Sequence, residues 1–126
     1  MILLSTEEII RVHSKLINKT GGLDGLRDKG LLESAIASAS NSFGDYEQYP
    51  TIEEKAARLA FAIVANHAFL DGNKRIGILV MLLSLRINQI NLIYTQQELI
   101  HLGLALADGS ADYKTTYEWI LCHRQT

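Results

Sequence analysis

Ile76-Gly77-Ile78-Leu79-Val80-Met81-Leu82-Leu83-Ser84-Leu85 is the most apolar run of the chain, and Arg75 and Arg86 close it at either end. It falls far short of the roughly 20 residues needed to cross a bilayer, so it reads as a buried helix and not as a membrane span. Its side chains leave little polar face, so a helix built from them has to be wrapped by other helices. That makes it the expected core helix of an all-α protein.

Working outward, helix starts are marked three times by a capping box, in which a hydroxyl takes an orphan amide and a Glu three residues on reaches back. Ser5-Thr6-Glu7-Glu8 opens a helix that carries Ile9, Ile10, Leu16 and Ile17 to about Asn18. Thr51-Ile52-Glu53-Glu54 opens a second, with Ala56, Ala57, Leu59, Ala60, Ile63 and Val64 leading to about His67, and Thr95-Gln96-Gln97-Glu98 opens a third that closes at Asp108-Gly109-Ser110. Leu31, Leu32, Ala35, Ile36 and Ala39 have helical spacing, and the last helix runs from about Asp112 to Arg124 with Tyr113, Tyr117, Ile120 and Leu121 inward. Trp119 reads as core, and Glu53, Glu54 and Lys55 read as ordinary first-turn charges.

Thr20 to Gly30 has glycines and few apolar residues and is an ordered loop or a linker; Asn41 to Pro50 breaks the helical pattern; Asn88 to Tyr94 is a turn or a brief extended piece. The expectation is a compact bundle of about six helices with a central buried helix, formed by residues 1–126 as a single domain. A chain of 126 residues with 48% hydrophobic and 21% charged residues has an ordinary globular composition.

Twelve basic and 14 acidic residues give a net charge of −2, which excludes a global attraction for nucleic acid or for an anionic membrane. Any anion must be gripped locally. The lone Cys122 permits neither an internal disulfide nor a cysteine zinc cage and reads as packing in a reducing compartment. Acids follow Met1-Ile2-Leu3-Leu4 at once, without the pattern of a secretory leader, so a cytoplasmic protein is expected.

One segment departs from packing logic: His67-Ala68-Phe69-Leu70-Asp71-Gly72-Asn73-Lys74-Arg75. Phe69 reads as an anchor, but an imidazole, a carboxylate, an amide and two cations converge around a glycine at a helix start. The unpaired N–H groups of a first helical turn attract an anion, and Gly72 lets a phosphate approach Gly72, Asn73, Lys74 and Arg75. Lys74 and Arg75 oppose the macrodipole by a few tenths of a kcal/mol each, roughly, a cost that an anionic ligand reverses. Asp71 is a hard oxygen donor of the kind that holds a magnesium ion beside phosphates. His67 can accept a proton from a hydroxyl nucleophile. Together these residues point to phosphoryl or nucleotidyl transfer. His13, His101 and His123 stand on separate helices without ligand partners in sequence, and two ligands at the His67 to Asp71 spacing are too few for zinc.

This segment resembles the signature of the Fic/Doc superfamily, which runs His-x-Phe, an acidic and a small residue, then Asn before basic residues. Lys74, where the Fic branch has Gly, matches the Doc branch of toxin–antitoxin toxins. The likeness extends to the opening Ser-x-Glu-Glu, to Gly21-Gly22-Leu23-Asp24-Gly25-Leu26 and to Gly30-Leu31-Leu32-Glu33-Ser34-Ala35.

The resemblance implies an ATP-dependent protein kinase that passes the γ-phosphate to a threonine of elongation factor Tu and halts translation. His67 would be general base and Asp71 the Mg²⁺ ligand, while Gly72 and Asn73 would hold phosphate and Lys74 and Arg75 would contact phosphates and stabilise charge. It also implies restraint by a Phd-like antitoxin whose disordered C-terminal segment folds into a groove, and no direct contact with nucleic acid or membrane. AMP transfer by a Fic-type mechanism is the alternative, against which Lys74 stands as an obstruction. A weakly catalytic antitoxin-binding co-regulator is the other. Ile78 stands where Fic proteins carry a second Arg, and Ala65 where a Doc toxin carries an Arg just before its signature His. Ser42 to Thr51 lies where the family has its target-docking flap.

Overall fold

The computed structural model describes residues 1–125. Among these, six helices and one small hairpin follow in the order α1 (Thr6–Thr20), α2 (Lys29–Ala39), β1 (Ser42–Phe43), β2 (Tyr46–Glu47), α3 (Ile52–Asn66), α4 (Asn73–Ile87), α5 (Gln96–Asp108) and α6 (Tyr113–His123). All three capping boxes are formed: Ser5 with Glu8, Thr51 with Glu54 and Thr95 with Glu98. Each fixes where its helix enters the bundle and stabilises it by about 1 kcal/mol. Asp28 and Asp112 cap α2 and α6 in the simpler way. No described helix is long and apolar enough to cross a membrane.

The central helix is α3, one element earlier than the hydropathy of the Ile76 run suggests. Ten of its residues are buried, against six in α4, and it is flanked by α2, α4 and α6. The reason is size. Ala56, Ala57, Ala60 and Ala62 give α3 a smooth surface that neighbours approach closely from several sides. Its partner α4 comes nearest at Gly77, where a β-carbon would lie 2.6 Å from Val64 Cγ2 and 3.2 Å from the Ala60 carbonyl. α3 separates two apolar clusters. One joins it to α1, α2 and the signature loop through Ile9, Leu32, Ile63, Phe69 and Ile76; the other joins it to α5 and α6 through Met81, Leu85, Leu102 and Ile120.

Several surface expectations change. Glu53 and Lys55 are buried: Glu53 accepts from Arg124, while Lys55 donates to the Ala39 carbonyl at 3.2 Å and lies 3.5 Å from Glu47. They are structural ties, since a charge leaves water only when its hydrogen bonds are replaced. Cys122 and Leu121 are exposed rather than packed, because the inward stripe of α6 passes through Thr116 and Ile120 instead. Tyr113, Tyr117 and Trp119 are half-buried against the second cluster. The break at 41–50 contains an antiparallel hairpin, Ser42 opposite Glu47 and Phe43 opposite Tyr46, with all four residues exposed. Asn88 to Tyr94 includes an extended piece: Ile93 donates to the His123 carbonyl and Gln125 to that of Asn91, both at 2.8 Å.

Candidate active site

α3 ends at His67, which takes the left-handed conformation with φ 49° and ψ 50°. For a residue with a β-carbon this costs roughly 1–2 kcal/mol, so something has to hold it. Arg27 does so from 40 residues away: its Nε donates to the His67 carbonyl at 2.8 Å and its Nη2 to that of Asn66 at 3.3 Å. The guanidinium also meets the negative end of the α3 macrodipole, which favours a cation there. Beyond His67 the chain runs antiparallel to residues 25–28. Arg27 and Asp28 both donate to the Ala68 carbonyl, at 2.8 and 3.0 Å, and Leu70 donates to the Gly25 carbonyl at 3.1 Å. Thr20 to Gly30 is therefore an ordered splint along the signature loop.

The Asp71 carboxylate is held from both sides. Its Oδ2 accepts the Leu23 N–H at 3.2 Å and its Oδ1 the Gly72 N–H at 2.8 Å, with Arg75 Nη2 at 3.6 Å from Oδ1. The Leu23 amide first, then the Gly72 amide and the charges of Arg75 and His13, hold the Asp71 carboxyl below its ordinary value of 3.8. It is thus an anion at neutral pH. Gly22 makes room for it: a β-carbon there would sit 2.4 Å from Asp71 Oδ2, and φ is +116°.

Asn73 uses its side chain to close the loop on itself, accepting the Phe69 N–H at 3.0 Å and donating to the Phe69 carbonyl at 3.1 Å. Arg75 is braced against the end of α1, donating to Thr20 Oγ1 at 2.7 Å and to the Gly21 carbonyl at 2.8 Å. Lys74 is exposed, with its stem along Gly103 of α5. The other five helices carry a capping side chain; α4, with Gly72 at its N-cap, carries none. The N–H groups of Asn73, Lys74 and Arg75 are the orphan donors of that turn.

His67, Leu70, Asp71, Gly72, Asn73, Lys74 and Arg75 line one cavity of about 390 Å³, so all six residues singled out from the sequence meet in one place. Lys74 and Arg75 also border an apolar groove of about 420 Å³ between α1, α4 and α5, lined by Leu16, Ile78, Leu79, Leu82, Leu99 and Ile100. Open donors, a lysine and an ionised carboxylate suit a polyanion carrying a divalent cation. Among the described residues no three His, Cys, Asp or Glu side chains converge. The donor set thus suits Mg²⁺, which binds through one or two carboxylates plus phosphate oxygens, better than an all-protein metal cage.

Arg27, Leu23, Thr20 and His13 are not distinguished by sequence spacing, because they reach the site across 40 to 58 residues. Their one sequence signal is the glycine-dense segment 21–25, where glycines permit the close approach that brings the Leu23 amide to Asp71.

Comparison with known proteins agrees with this architecture. Residues 3–85 match the Fic/DOC family. The chain is 33% identical over 106 residues to the protein kinase doc of Escherichia phage P1, covering 84% of this chain and 82% of that protein. It is 42% identical over 55 residues to a Toxin Doc of Mycolicibacterium smegmatis, covering 44% and 42% of the two chains. With the signature loop, its splint, α1, α2, α3 and nearly all of α4 inside the matched residues, this chain belongs to the Fic/Doc family and is a homologue of phage P1 Doc.

Proposed function

We propose that this chain is the toxin of a toxin–antitoxin pair and acts as a protein kinase, moving the γ-phosphate of ATP to a threonine hydroxyl of elongation factor Tu. The observation that carries the reading is the convergence, in one cavity, of an exposed imidazole, an ionised Asp71, the uncapped start of α4 and Lys74. These match the needs of phosphoryl transfer, where positioning and electrostatics do most of the work.

In the proposed reaction His67 takes the threonine proton as the hydroxyl oxygen bonds to the γ-phosphorus. The bond from that phosphorus to the β,γ-bridging oxygen breaks, and ADP leaves with the electron pair. Asp71 would hold Mg²⁺, which when bound neutralises phosphate charge. The N–H groups of Asn73 and Lys74 and the Lys74 ammonium face the phosphates, and Gly72 keeps the approach open. Arg75 supports this work from its brace, adding positive potential beside Asp71. Lys74 is also the residue that disfavours AMP transfer, because its long side chain occupies space that a glycine would leave free.

The partner reading rests on the neighbouring groove. Its apolar lining and its border at Lys74 and Arg75 suit an amphipathic antitoxin segment that folds on binding and covers the two cations. Purified elongation factor Tu, incubated with ATP, Mg²⁺ and the wild-type protein, is expected to gain a phosphate on a threonine. His67→Ala is expected to slow this by about 10²–10⁴-fold, the usual range for a general base. An adenylyl adduct in the intact mass, or equal labelling by both proteins, overturns the reading.

A further inference from the structure

His13 lies on α1, fully buried, beneath the signature loop. Its ring stacks on Phe69 with centroids 3.8 Å apart and planes 17° from parallel. Its Nε2 is 2.7 Å from the Asp71 carbonyl oxygen. A carbonyl only accepts, so Nε2 carries the hydrogen. Nδ1 faces Asp24 Oδ1 at 3.7 Å, beyond hydrogen-bond reach, and both oxygens of that carboxylate accept from the Ser14 hydroxyl, at 2.8 and 2.9 Å.

A buried imidazole is a poor choice for filling space. Leu or Met would pack against Phe69 without the cost of desolvating two ring nitrogens. What the imidazole adds is one directed donor on a rigid ring. That donor holds the backbone of Asp71 while Leu23 and Gly72 hold its carboxylate, so the residue is gripped at both ends. The Leu23 grip comes from the same short loop that places Asp24 beside His13.

We propose that His13 is a positioning residue for the reaction: its Nε2–H fixes the Asp71 carbonyl, and through it the direction of the Asp71 carboxylate. This rests on the phosphoryl-transfer reading for its consequence in catalysis, though not for its consequence in structure. Removing a comparable supporting hydrogen bond costs enzymes about 10–100-fold, because an ångström of misplacement is enough.

The test compares His13→Phe, which keeps a ring on Phe69 and removes the donor, with His13→Gln, which keeps an N–H donor at a similar reach and removes the ring. Amide hydrogen exchange is followed in the free protein, and kcat and KM for ATP in the transfer assay. In His13→Phe the Leu23 and Gly72 amides are expected to exchange at least about 10-fold faster while the helix amides keep their protection. kcat is expected to fall about 10–100-fold with KM changed less. His13→Gln is expected to restore both readouts to within a few fold. Should His13→Phe fail to fold, His13→Leu, which is smaller and also lacks the donor, takes its place.

Wild-type exchange at Leu23 and Gly72 in the donor-less variant overturns the proposal. So does a loss of protection that is uniform over the chain and equal in His13→Gln, which would mark a packing role. A wild-type protein that transfers no phosphate, with the expected exchange pattern intact, overturns the kinase reading and leaves His13 as the residue that orients Asp71.

Discussion

His13 and His123 are held by the same three kinds of neighbour at opposite ends of the sequence. Each stacks on an aromatic ring, bonds a backbone carbonyl and faces a carboxylate. For His13 these are Phe69, the Asp71 carbonyl and Asp24; for His123 they are Trp119, at 4.1 Å between centroids, the Trp119 carbonyl at 2.7 Å and Glu98 at 2.8 Å. The difference lies in the carboxylate. Glu98 bonds His123 directly, whereas Asp24 stands back from His13 and is satisfied by Ser14.

The first arrangement is an ion pair that clasps the end of α6 to the start of α5. Burial alone would lower the His123 pKa, but the hydrogen bonds to Glu98 and the Trp119 carbonyl, with the Glu98 charge, outweigh it and raise it. The His123 bond, then the Thr95 amide and hydroxyl, bring Glu98 down to about 2. The second arrangement is a geometric constraint on a residue of the site. One motif therefore serves stability at α6 and alignment under the signature loop.

The comparison breaks most visibly at Gly22. Gly22→Ala puts a methyl group where the Asp71 carboxylate lies, on a backbone that L-residues avoid. A loss of about 100-fold in phosphate transfer is expected, on the scale of an ångström-sized displacement. A transfer assay beside a denaturant titration checks it, and wild-type activity in a folded Gly22→Ala protein would show that Asp71 does not need its present place.

α5 connects the two regions, because its first turn carries Glu98 while Ile100 and Gly103 line the groove that borders Lys74. Ile100→Asp, at an exposed position, is expected to weaken antitoxin binding by about 5–30-fold, the effect of losing one apolar anchor of about 1–2 kcal/mol, while basal transfer stays as it was. Calorimetric titration with the cognate antitoxin measures it.

His123→Gln is expected to leave transfer unchanged and to lower Tm by a few degrees in a pH-dependent way. A raised histidine pKa contributes stability in full below its ordinary 6.5 and loses it as pH rises through the folded value. The lowered Glu98 contributes above its ordinary 4.5 and loses it as pH falls toward about 2. The gap between wild type and variant should therefore be widest between pH 4.5 and 6.5 and narrow on both sides. Thermal melts across pH 3 to 9 follow it, and a gap independent of pH would mean that His123 acts by packing alone. Smallest of all is Ser84→Ala, which removes from the last turn of α4 a buried hydroxyl that has no hydrogen-bond partner among the described residues. Stability is expected to stay level or rise by up to about 1 kcal/mol, read as a denaturation midpoint, with transfer unchanged.

The helices were legible because their signals are local. Ser5 with Glu8, Thr51 with Glu54 and Thr95 with Glu98 each lie within one turn, and each box forms as its spacing requires. The signature loop was legible because an imidazole, a carboxylate and two cations around Gly72 have no packing purpose. The central place of α3 was hidden because hydropathy rewards the leucines of α4 above the small residues that let helices meet. The hairpin escaped because two residues per strand cannot show alternation. His13 and Arg27 escaped for a stronger reason. Each serves the site through long-range bonds, His13 to Asp71 across 58 residues and the Arg27 side chain to His67 and Asn66 across 40 and 39, and spacing along the chain says nothing about such pairs.

The most direct test of the central claim is to incubate elongation factor Tu, Mg²⁺ and this protein with ATP labelled either at the γ- or at the α-phosphate, and to map the label by mass spectrometry. A Doc-type kinase built on His67, Asp71 and Lys74 transfers label from the γ-position only, onto a threonine. Label arriving from the α-position, or none from either under conditions where the protein is folded and binds ATP, would contradict it.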